Sequence, residues 1–146
     1  MKSVWEVLLS KAEREVRIAQ QKLADAQQKK NLADERKIKL ADLLVEYSTQ
    51  LRSLQLRSHH TGEVHNYQQF IAQLQAMQVR SKQEVTVLEE NCAVARKAML
   101  LKEHERMKLE MLAEREREKF ESEMLYRENR EIESSALQQF NFKERI

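Results

Sequence analysis

From Leu9 to Leu54, residues suited to a helix seam recur in unbroken steps of three and four. The ladder reads Leu9, Ala12, Val16, Ala19, Leu23, Ala26, Lys30, Ala33, Lys37, Leu40, Leu44, Tyr47, Leu51 and Leu54. That spacing gathers one stripe of side chains on one side of an α-helix, and the stripe needs a facing helix to cover it. A second ladder reads Ile71, Leu74, Gln78, Ser81, Val85, Leu88, Cys92, Ala95, Met99, Lys102, Arg106, Leu109 and Ala113. It is out of phase with the first. Between them lies Ser58 to Asn66, SHHTGEVHN, which holds the only glycine of the chain, Gly62, among weak helix formers. One glycine costs a helix only about 1 kcal/mol, so the change of phase, more than the glycine, requires two helices instead of one rod. Gly62 is expected to close the first helix in the left-handed conformation. Asn66, followed three residues on by Gln69, is expected to open the second as a capping-box-like start.

The expected architecture is all-α: one long antiparallel two-helix coiled-coil hairpin with a C-terminal helical overhang, forming a single domain over 1–146. The first helix is placed at about 3–57, starting near Ser3. The turn is placed at about 58–65, the second helix at about 66–135, and a mobile tail at 136–146. A link of about ten residues spans at most about 35 Å, far less than either helix, so the two must run antiparallel. Counting outward from the turn sets Tyr47 near Leu74, Ala33 near Leu88 and Leu9 near Ala113. The first helix is then exhausted, and Phe120 to Ile146 should be unpaired within the chain. Alanines dominate the seam far from the turn and leucines the seam close to it, so the turn-proximal half should bury more area.

Composition narrows the function. A chain of 146 residues with no proline, 34% charged and 5% aromatic residues reads as long helix. A two-helix hairpin has no interior in which to surround a substrate, so no catalysis, cofactor or small-molecule substrate is expected. The net charge of +2 is small and the signs are interspersed, which argues against nucleic-acid binding. The N-terminal MKSVWEVLLSKAERE is broken by charges too early for a signal peptide, and no apolar run is long enough for a bilayer. Cys92 lies on the second seam and reads as a small buried residue. His59, His60 and His65 cluster at the turn, but with Glu63 as the nearest carboxylate they make an incomplete ligand set, and no metal is expected.

Two stretches admit an interaction role. Either Tyr67 and Phe70, just after the turn, seal the end of the coiled coil, or Leu40, Leu43, Tyr47, Phe70, Leu74 and Met77 leave an apolar patch for a partner. Lys102 to Glu133 is dense in Glu and Arg or Lys at i,i+3 and i,i+4. It reads either as a solvated single helix or as a helix that docks into a partner.

The block NYQQFI at Asn66 to Ile71, with EY and a leucine four residues on at Glu46 to Leu51 and a polar turn between, resembles the FliJ family of flagellar type III export proteins. The resemblance covers most of the chain in architecture and the turn-flanking blocks in residues. It implies a non-enzymatic stalk and escort protein similar to the γ subunit of rotary ATPases, cytoplasmic, peripheral to the inner membrane at the export apparatus, and monomeric when free. The implied partners are the export ATPase hexamer and its regulator, the cytoplasmic part of the membrane export gate, and export chaperones. The implied gate surface is Leu40, Leu43, Tyr47, Phe70, Leu74, Met77 and Ser81; Leu43, Met77 and Ser81 depart from the family's usual residue types. Ring contacts are placed, by position, on Lys11, Arg14, Arg17, Arg115, Arg117 and Lys119. Two alternatives stand beside this reading: the equivalent stalk of a virulence-type secretion system, and an unrelated scaffold that homodimerises through Lys102 to Ile146.

Overall fold

A computed structural model describes residues 4–57 and 61–144. These form two helices, α1 (Val4–Arg57) and α2 (Thr61–Glu144), which pack against each other as a helical hairpin. No strand is present among the described residues. Two compact units divide the chain: a terminal unit of Met1–Val16 with Lys102–Ile146, and a turn-proximal unit of Arg17–Leu101.

In the turn-proximal unit the helices are antiparallel, since Tyr47 meets Phe70 while Arg36, farther from the turn, meets Glu84. Every residue of the two ladders within this unit is shielded, wholly or in part. The deepest are Ala19 and Ala33 of α1, with Leu74, Ser81, Val85 and Cys92 of α2. Alanine at the seam lets the helices approach closely but removes little apolar area from water. Leu40, Leu44, Leu51 and Leu54 are only half-buried, so each falls short of the roughly 1.5–3 kcal/mol of a fully buried leucine. A single facing helix covers one side of a large side chain and leaves the other side wet.

The terminal unit has a shorter seam. Its shielded apolar residues are Trp5, Leu9, Ala12 and Val16 on α1, facing Leu109, Leu112 and Ala113 on α2. Beyond Ala113 every described residue of α2, Glu114 to Glu144, is exposed.

The helix limits correct the sequence expectation at two places. α2 begins at Thr61, so the second half of the expected turn is helical, and Gly62 takes an ordinary helical backbone in place of a left-handed one. Glu63 favours a helix start there through its charge in the first turn. Val64 and Tyr67, both half-buried, carry the α2 ladder backward from Ile71 in the same steps of four and three. The register moves with it: Tyr47 meets Phe70, one helical turn nearer the connection than Leu74. At the other end α2 continues through the expected tail to Glu144. Ser3, His59 and His60 lie outside the described residues.

Candidate partner-binding surfaces

The turn-proximal surface is built on three aromatic rings. Tyr47 projects from α1 and meets Phe70 edge-on, with ring centroids 4.7 Å apart and planes at 65°. On its other side Tyr67 lies at 6.0 Å and 49°, and the Tyr67 hydroxyl donates to Gln50 Oε1 of α1 at 3.3 Å. Such ring pairs contribute about 0.5–1.5 kcal/mol beyond area burial, so the cluster fastens the two helices together. It does not hide itself in doing so: Phe70 is 39% exposed, and nearby on the chain Leu43 and Met77 are 38% and 47% exposed.

The seven sequence-derived residues of this surface therefore separate. Leu43, Phe70 and Met77 face solvent, and Leu40 and Tyr47 are half-buried. Leu74 and Ser81 are not surface residues. They are 3% and 7% exposed, because both stand on the α2 ladder and point at α1. Ser81 Oγ is shielded without a hydrogen-bond partner among the described residues. Tyr67 was missing from the set, and its signal was the extension of the α2 ladder through Val64 and Tyr67.

The six basic residues assigned to the chain's terminal half are all exposed, and they are divided between the two units. Arg17 belongs to the turn-proximal unit; the other five belong to the terminal unit. Lys11 and Arg14 share a face of α1 by their i,i+3 spacing, and Arg115 and Lys119 share a face of α2 by i,i+4. Arg117 projects to the opposite side and pairs with Glu114 at 3.3 Å. Arg115, Arg117 and Lys119 alternate with Glu114, Glu116 and Glu118, so that segment is locally neutral.

The terminal unit joins its two helices through Lys102, whose Nζ donates to Glu15 Oε2 at 3.2 Å and lies 3.6 Å from Glu105 Oε2. The Glu15 hydrogen bond, and then the charge of Glu105, hold the Lys102 ammonium above its ordinary pKa. A raised lysine pKa contributes stability that is present below the ordinary value, about 10.4, and is lost as pH rises through the higher folded-state value. The Lys102 ammonium is therefore charged throughout the neutral range. Arg106, on the same ladder, is held by Glu103 at 3.8 Å and Glu110 on α2.

No group of three or more His, Cys, Asp or Glu able to hold a metal occurs among the described residues, and the histidine cluster of the connection lies partly outside them. Open grooves occur along α2, as between Glu128, Ile132 and Gln139, and between the helices, where Gln27 and Lys30 face Glu89 and Arg96. No helix among the described residues is long and apolar enough to cross a membrane.

The fold is a helical hairpin with an aromatic cluster partly open to solvent in one unit and an exposed charged helix in the other. The chain belongs to the FliJ family: the model described as the flagellar FliJ protein matches residues 1–145. It is thus a protein of flagellar export, in a family of non-catalytic structural or escort components. No curated protein and no solved structure matches the chain.

Proposed function

We propose that this protein is the cytoplasmic stalk of the flagellar export ATPase complex, acting peripherally at the inner membrane. Its terminal unit enters the ATPase ring and promotes ring assembly. Its turn-proximal unit meets the cytoplasmic part of the export gate, and the protein escorts export chaperones. Free, it is a monomer. The observation that carries the gate assignment is the partly exposed Phe70, met edge-on by Tyr47 in an otherwise strongly charged chain. With Leu43 and Met77 also exposed, its open side is apolar surface of the kind that partner sites use. In this reading Leu43, Phe70 and Met77 touch the gate, with Leu40 and Tyr47 at the margin, while Leu74 and Ser81 hold the seam beneath. Lys11, Arg14, Arg115, Arg117 and Lys119 face the ring, and their alternation with glutamates lets a polar pore accept them without a net charge barrier.

The test is binding of the purified gate domain by Phe70→Ala. Loss of gate binding, with helicity and ATPase stimulation retained, is expected. Unchanged gate binding would remove the aromatic surface from the interface. A stable dimer formed through residues 114–144, with no effect on the ATPase, would instead support the scaffold reading.

A further inference from the structure

We infer that the α1 segment of the terminal unit, residues 4–16, is a strap that opens from α2 independently of the turn-proximal unit, latched by Glu15 on Lys102. The seam here is short and its buried members are small: Ala12, Val16 and Ala113. Two of its four α2 ladder positions hold charged side chains, Lys102 and Arg106, whereas the charged ladder residues of the turn-proximal unit, Lys30 and Lys37, are diluted in a much longer seam. Apolar contact alone therefore holds the strap weakly. The Glu15–Lys102 hydrogen bond ties it across to α2 at the inner end of the segment.

Opening does not require α2 to unfold. Lys102 to Ala113 lies in the middle of one continuous helix, and Glu103, Arg106 and Glu110 support that stretch by pairs along α2 itself. The open form is then a longer single helix. Leu109, Leu112 and Ala113 are uncovered and join the exposed Phe120 and Met124 further along α2. The closed form withholds them. Local opening of a segment with few buried contacts, below the free energy of global unfolding, is the expected behaviour of such a strap.

The chain carries a natural reporter in each unit: its only tryptophan, Trp5, half-buried in the strap, and its only cysteine, Cys92, buried in the turn-proximal seam. Under increasing urea, Trp5 fluorescence should change before Cys92 becomes reactive to a thiol reagent. Without denaturant, the amides of Ala12 to Val16 should exchange faster than those of Ala33 to Leu40, while Lys102 to Ala113 stays protected. Glu15→Gln should raise the open population about two- to fivefold, the effect of losing one exposed ion pair, and should leave Cys92 reactivity unchanged. Glu13→Gln, which removes the same charge from the same segment at an exposed position, should change neither reporter. Coincident Trp5 and Cys92 transitions with uniform exchange along α1 would overturn the inference. So would equal effects of Glu13→Gln and Glu15→Gln.

Discussion

Leu74 and Ser81 show how a position on the seam overrides a likeness in sequence. Both fall within the set that the family resemblance assigns to a partner, and both face α1 with almost no surface to offer. Substituting them should therefore read out as stability. Leu74→Ala removes a buried leucine and should cost about 2–3 kcal/mol, measured by urea unfolding. Ser81→Ala should act in the opposite direction. It removes a shielded hydroxyl without a hydrogen-bond partner and puts a better helix former in its place, for a gain of about 1 kcal/mol. A loss of stability in Ser81→Ala would mean that the hydroxyl has a partner the static structure does not reveal. Phe70 is the contrasting case, a large ring fastened on one side by Tyr47 and open on the other. Its truncation should be felt more by a partner than by the fold.

At the scale of the helices, the ladders were legible because their period is a geometric necessity. A residue three or four steps from a shielded one returns to the same face, and every ladder residue from Leu9 to Leu54 and from Ile71 to Ala113 is shielded. The start of α2 was not legible from local preference. Thr61, Gly62 and His65 are weak helix formers, yet they are helical, because Glu63 suits the first turn and Val64 and Tyr67 extend the seam. Tertiary packing outweighed propensity, and the same ladder rule applied a few residues earlier would have found it. Gly62 is the direct test. A Cβ at this position would meet nothing within 4 Å, so Gly62→Ala should stabilise the hairpin by about 0.5–1 kcal/mol. A destabilised Gly62→Ala, measured by thermal unfolding, would return the residue to a turn. An unpaired C-terminal stretch was legible from the exhaustion of α1, but the exposed run begins at Glu114, six residues before the expected Phe120. Its unbroken helix to Glu144 was not, since no seam marks it; pairs along α2 support it instead, among them Arg117 with Glu114 and Arg130 over the Tyr126 ring at 5.8 Å.

For the whole molecule, the proposed stalk role would divide its work between the two units. The turn-proximal unit has the deeper seam and the aromatic surface; the terminal unit has the thin seam, the latch and the bare α2 helix with its alternating charges. The sequence made the class of protein legible through its ladders and its NYQQF block, while the separation of surface from seam required the packed structure. The central claim concerns the export ATPase, and it is tested most directly by ATP hydrolysis and ring sizing of the purified enzyme with and without this protein. The stalk reading predicts faster hydrolysis together with assembled rings. Unchanged hydrolysis and unchanged ring size, with the hairpin folded by circular dichroism, would contradict it.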